Sequence, residues 1–201
     1  VKAVVVRLSK AGTKDIPAVA KLHREYIGWG FLSLLGERIL TLIYRSLNEF
    51  PGGAVIVATE DGKVTGFVAG LLHLGQFYAY LLRKHSLRLS SLLFLKLLNP
   101  GTVKKIAEIV LYGVKTSPDL PEPELLSIVV EAGHQGKGTA GLLFEELRVW
   151  LEKKGVDQFK TTVGYQNERS SRFFEKMGCK QMGKVQIHKG EASRIYVYPS
   201  D

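Results

Sequence analysis

Between Leu125 and Tyr165 the chain reads as a continuous apolar strand (Leu125 to Glu131), a glycine-rich turn, a helix (Lys137 to Lys154) stopped by Gly155, and a second strand (Gln158 to Tyr165). No other stretch restricts the fold as strongly, because a strand, helix, strand unit requires parallel neighbours joined by a crossover helix. The rest adds antiparallel pieces to that unit. Val4 to Leu8 reads as a strand, and Asp15-Ile16-Pro17 opens a helix with a capping residue and an early proline. Ser33 to Leu47 reads as a second helix, with Leu34, Leu35, Ile39, Leu42, Ile43 and Leu47 on one wide stripe, until Pro51-Gly52-Gly53 ends it. Ala54 to Thr59 and Val64 to Leu72 pair across Asp61-Gly62, a hairpin dipeptide. Glu168 to Met177 is a short helix ended by Gly178, and two strands near 180 to 188 and 193 to 198 turn at Lys189-Gly190. The expectation is an α/β fold with a mixed central sheet of about seven strands flanked by helices, one domain over residues 1–201.

Residues 81 to 112 stand apart. They are Leu-rich and helical in period, are broken by Asn99-Pro100-Gly101, and carry six Lys or Arg and no acid between Leu81 and Ile106. This predicts an inserted basic helical hairpin, either a packed lid with a solvated face or a surface for peripheral membrane or partner contact. The net charge of +9 attracts anions without naming one. With 45% hydrophobic and 23% charged residues the chain is neither disordered nor fibrous. It has no run of about 18 apolar residues and no signal-peptide pattern at its start, so a cytoplasmic location is expected. The lone Cys179 reads as a buried filler, and five scattered histidines lack metal-ligand spacing, so no metal is expected.

Gln135-Gly136-Lys137-Gly138-Thr139-Ala140-Gly141 carries the chemistry. Small residues at the start of a helix let a phosphate approach free amides and the positive end of the helix dipole. A tight turn into a helix could need the same letters. The Walker pattern fails, because Gly138 is followed by Thr139-Ala140. A dinucleotide fingerprint does match as Gly136, Gly138 and Gly141. Ala132 to Gln135 separate it from the strand, however, and Asp157 opens the next strand where an acid should close it.

With its flanks, this stretch resembles the GNAT N-acetyltransferase superfamily. That motif is Gln or Arg, two residues, Gly, one residue, then Gly or Ala, and Gln135-Gly-Lys-Gly138-Thr-Ala140 fits it. Glu124-Leu-Leu-Ser-Ile128-Val-Val130 is similar to the family's fourth strand, and Asn167 with Phe173-Phe174-Glu-Lys-Met-Gly178 to its following helix. The resemblance spans most of the chain except the insertion. It implies acetyl-CoA as cosubstrate. The amides of Gly136, Gly138, Ala140 and Gly141 would hold its pyrophosphate, with Lys137 and Thr139 in the same loop and Gln135 shaping it. Ile128, Val129 and Val130 would line the pantetheine arm as an added strand, with Asn167 and Phe174 on its far side. The Ile128 amide would also bond the thioester carbonyl.

The resemblance further implies direct transfer of the acetyl group to a primary amine in a ternary complex, on a small-molecule or peptide acceptor. An amine with a pKa of about 10.4 is neutral about once in 2,500 molecules at pH 7, which makes a base useful. Glu124 is the first candidate, unless it is an exposed residue at a strand start. The family's usual tyrosine falls at Phe174, which cannot donate a proton, so Tyr165 is the remaining guess for an acid, or the thiolate leaves unaided. Thr162 stands where other members place a carboxylate. Glu131 and His134 are polar contacts or solvated turn residues, and His23 and Glu25 face the acceptor side. The alternatives are a silent acetyl-CoA binder or a basic protein that binds nucleic acid or membrane; nucleic acid is disfavoured, and a homodimer stays open.

Overall fold

The computed structural model describes residues 6–27, 31–97, 120–188 and 191–199. Its strands are β1 (Arg7–Lys10), β2 (Gly53–Glu60), β3 (Lys63–Leu71), β4 (Glu124–Val130), β5 (Phe159–Gly164), β6 (Lys180–His188) and β7 (Glu191–Tyr198). The helices are α1 (Ile16–Tyr26), α2 (Phe31–Leu34), α3 (Glu37–Glu49), α4 (Leu74–Leu97), α5 (Thr139–Glu152) and α6 (Glu168–Lys176). One 7-stranded sheet runs β1-β2-β3-β4-β5-β7-β6, as expected of a mixed α/β fold. Every neighbouring pair is antiparallel except β4 and β5, where the crossover helix α5 demands a parallel pair.

Helices cover both faces, which is why β2 and β3 read as unbroken apolar runs rather than alternating ones. Val55, Val57, Phe67, Ala69 and Leu71 face α1, α3 and α4, where Val19, Leu40, Leu47 and Phe77 meet them. Ala54, Ile56, Ala58, Val68 and Leu125 face α5 through Leu143, Phe144 and Leu147. Cys179 lies buried in this second layer, its thiol pushed up to about 12 by burial. At the hairpin both Asp61 (φ 49) and Gly62 (φ 76) take positive φ, the geometry that suits strand twist in a two-residue turn. Where α3 meets β2, a Cβ on Gly53 would lie 2.4 Å from the Leu47 carbonyl oxygen. Gly53→Ala should therefore lower unfolding free energy by about 1–3 kcal/mol, read as a reduced urea midpoint with unchanged slope.

Several boundaries differ from the sequence reading, each for a local reason. The single helix expected over Ser33 to Leu47 is two helices, because Gly36 takes φ 89, outside helical space, and becomes the cap of α3. Asp15 does not cap α1 with its side chain; its carboxylate accepts the Gly12 N–H at 2.8 Å and closes the preceding turn instead. β1 begins at Arg7 and ends at Lys10, later than expected, and residues 1–5 lie outside the described residues. The insertion starts at Leu74 rather than Leu81 and bends at His85 (φ −131). The expected break at Asn99-Pro100-Gly101 and the returning arm lie outside the described residues, as does the turn Lys189-Gly190. Among the described residues no helix is long and apolar enough to cross a membrane.

Candidate active site

β4 and β5 pair only at Glu124↔Lys160 and Leu125↔Thr161, then diverge. The divergence begins at a bulge. Ala69 of β3 faces Ser127 and Gly70 faces Leu125, so Leu126 has no partner and β4 bends away. The gap is a cavity of about 650 Å³ between β4, β5, the loop after β4 and α6.

The orientation of the main chain along β4 follows from two hydrogen bonds. Glu131 N–H donates to Thr65 on β3 at 2.8 Å, whereas Gln135 Nε2 donates to the Val130 carbonyl at 2.7 Å. Successive strand residues address opposite edges. Ile128 and Val130 therefore present N–H and C=O groups to the gap, and Val129 and Glu131 present theirs to β3.

The loop that follows passes through a 3₁₀ turn, Ala132–His134, and places Gly136 (φ 77) and Gly138 (φ 85) in the left-handed region. A Cβ at either glycine would meet nothing within 4 Å, so bare main chain faces the cavity there. α5 starts at Thr139 rather than at Lys137 because Gly138 is its cap, and among the described residues no side chain caps its first turn. Those amides of Thr139, Ala140 and Gly141 border the cavity as an anion cradle. The loop is tied down at its entry: Ala132 N–H donates to the Tyr26 hydroxyl at 2.9 Å, and His134 sits 3.2 Å from Glu60 and 3.1 Å from Glu131.

Where the two strands still pair, Glu124 is buried, 6% exposed, so it is not a solvated strand-start residue. Burial pushes its carboxyl up to about 7, while the nearby Lys160 ammonium and a hydrogen bond with Thr162 pull it partly back. Lys160 is itself buried, which lowers its pKa. Its ammonium donates to the carbonyls of Pro121 and Glu122, at 3.1 Å for the latter, anchoring the segment that enters β4. Lys160→Met removes the only one of these influences that carries charge. The Glu124 carboxyl should then titrate above 7, observable by carbon-detected NMR of labelled glutamate.

A model of the acetyltransferase (GNAT) family matches residues 17–179. The chain belongs to the GNAT acetyltransferase family. No curated protein matches it at the sequence level. Among solved structures it is similar to an N-acetyltransferase of Staphylococcus aureus Mu50 (16% identity, TM-score 0.63, 97% of this chain and 98% of that one). It is similar to the ribosomal-protein-S18-alanine N-acetyltransferase of Escherichia coli (17%, TM-score 0.61, 97% and 94%). The yncA protein of Salmonella typhimurium, assigned as an acetyltransferase and solved with its cofactor acetyl-CoA, shares the fold too (15%, TM-score 0.63, 98% and 95%).

Set on this GNAT frame, Ile128, Val129, Val130, Gln135, Gly136, Gly138, Thr139, Ala140, Gly141, Asn167 and Phe174 all border the cavity. Asn167 also caps α6, its Oδ1 accepting the Ser170 N–H at 3.1 Å. Phe174 is buried against Phe144, Phe173 and Tyr196. Lys137 is exposed and not part of the lining. Tyr165, the guessed acid, does not border the cavity: β5 ends at Gly164, and the exposed Tyr165 ring lies 4.5 Å from the Arg194 guanidinium and 5.4 Å from the Lys184 ammonium. Tyr26 and the exposed cations Arg169 and Lys176, which border the cavity, and the buried Lys160 near Glu124 escaped the sequence reading as site residues. A Lys inside a strand carries no local mark of burial.

Proposed function

We propose that this GNAT protein transfers the acetyl group of acetyl-CoA directly to a primary amine of a small-molecule or peptide acceptor, with Glu124 as general base. The observation that carries this reading is one cavity bordered by unpaired β4 main chain and a glycine-lined anion cradle; the buried Glu124 carboxyl, near neutrality, lies one residue before Leu125, where the lining begins and the strands part. Bound there, acetyl-CoA supplies an acyl carbon activated as a thioester. The cradle amides from Gly136 to Gly141 neutralise diphosphate charge, and Gln135 holds the loop to Val130. The Ile128 amide, on the edge of β4 that faces the gap, would donate to the thioester carbonyl oxygen and stabilise its negative charge. Glu124 takes the proton that the amine must lose. Phe174 has no proton to give the leaving sulfur, which would depart as the thiolate.

Two measurements test this. Acetyl-CoA at 100 times its dissociation constant should stabilise the protein by about 2.7 kcal/mol. Gly138→Val, which forces a β-branched residue into φ 85, should cut that affinity at least about tenfold. The second measurement is product formation across a panel of primary amines. Phe174 motivates one rival, a silent acetyl-CoA binder, which turnover on any amine would eliminate. Retained acetyl-CoA affinity without turnover on all of them would establish the rival instead.

A further inference from the structure

Helix α6 forms part of the cavity wall, yet half of it has no apolar hold on the sheet. Its nine residues are too few for a helix to be stable alone, so tertiary contacts must place it. The second half has them, because Phe173 and Phe174 pack into the layer under α5. The first half, Glu168-Arg169-Ser170-Ser171-Arg172, carries no apolar side chain. Its beginning nevertheless borders the gap, through Asn167, Arg169 and Ser170.

β7 supplies what this turn lacks. Arg194, its side chain 14% exposed, donates from Nη1 to the Ser171 hydroxyl at 2.8 Å and from Nη2 to the Glu168 carboxylate at 2.6 Å. Glu168 and Ser171 are three apart on the helix and share a face, so one guanidinium fork meets both. Ser171 is buried, which shields its bond from water. The guanidinium also lies 4.5 Å from the centre of the Tyr165 ring, in the link that joins β5 to α6. Asn167 sits within this grip. Its N–H donates to the Gly164 carbonyl at 2.9 Å, and its Oδ1 accepts the Ser170 N–H at 3.1 Å, which leaves the Nδ2 hydrogens for a carbonyl in the gap. Tyr196, two residues along the same face of β7, donates to Glu175 at 3.1 Å and ties the other end of the helix.

We propose that Arg194 is a positioning residue: by clamping the first turn of α6 to β7 it fixes the wall of the gap opposite β4, and with it the Asn167 carboxamide that meets the pantetheine arm. The inference rests on the acetyl-CoA reading above. The arm is held only where both walls are in place, so the affinity for acetyl-CoA scales with the fraction of molecules whose α6 turn is docked. The anion cradle belongs to α5 and the loop before it, outside the reach of this clamp.

The test is calorimetric titration of wild type, Arg194→Gln and Arg148→Gln with two ligands, acetyl-CoA and the coenzyme's phosphoadenosine diphosphate fragment, which keeps the diphosphate and lacks the pantetheine arm. Arg194→Gln should weaken acetyl-CoA at least about fivefold, the loss expected if the turn is docked in about one molecule in five, and change the fragment by less than about twofold. Arg148→Gln breaks another arginine fork, with Glu145 and Glu152 on α5 away from the cavity, and should leave both affinities in place. An unchanged acetyl-CoA affinity in Arg194→Gln, equal weakening of the two ligands, or the same loss in Arg148→Gln overturns the positioning role while leaving acetyl transfer intact. Failure of wild type to bind acetyl-CoA overturns both. If Arg194→Gln does not fold, Glu168→Ala decides alone: it removes the exposed acceptor, spares the guanidinium, and should show the same selective loss.

Discussion

Glu124→Gln is expected to lower kcat/KM for amine acetylation by about 10²–10⁴-fold and to leave acetyl-CoA affinity unchanged. The carboxyl lies beside the only two rungs joining β4 to β5, away from the phosphate cradle, so its loss does not touch the groups proposed to hold the coenzyme. The deprotonated form is the base. The wild-type rate should therefore rise with pH through about 7, where burial has placed the group, and the Gln variant should lose that limb. A variant with parental kcat/KM, or a limb that persists in it, would show that the base is elsewhere or that solvent suffices.

The second large effect is on stability, and its sign comes from two groups displaced in opposite directions. Burial holds His23 at about 4 in the folded protein against its ordinary 6.5, so the unfolded chain binds the extra proton between those values and stability falls as pH falls. Glu124 titrates at about 7 folded against 4.5, so there the folded chain binds the extra proton and stability falls as pH rises. Each displacement is worth about 3 kcal/mol, and across the shared window the two slopes nearly cancel. Glu124→Gln removes one of them. Above pH 7 the variant should exceed its parent in unfolding free energy by about 3 kcal/mol, an advantage that vanishes by pH 4, and its own stability should fall steeply on acidification. Denaturant unfolding at a series of pH values reads this directly. Parallel curves for parent and variant would mean that Glu124 titrates normally in the folded protein.

Both predictions concern residues whose identities were visible in the chain but whose surroundings were not. The crossover unit was legible because strand, glycine turn and helix leave separate marks: an apolar run, a change of period, and glycines where positive φ is needed. The Asp61-Gly62 turn was legible for the same reason. The break at Gly36 was hidden because Leu35 and Ile39, on either side of it, pack in one small cluster and keep the helical period running across the gap. The bulge at Leu126 left no trace, since Leu125 and Leu126 are equally apolar although they face opposite layers. Lys160 between Phe159 and Thr161 reads as a solvated strand position; its acceptors are carbonyls at Pro121 and Glu122, and distant pairing leaves no local signature. The same holds for His23 and Tyr44, whose Nδ1 and hydroxyl lie 2.6 Å apart.

The parting of β4 from β5 also governs how the molecule hangs together. Four strands stand on one side of the gap and three on the other, joined through main chain at Glu124–Lys160 and Leu125–Thr161 alone. A molecule lying between them replaces the rungs that the sheet lacks. On the proposed reading, binding of the acyl donor would restore mechanical continuity across the sheet.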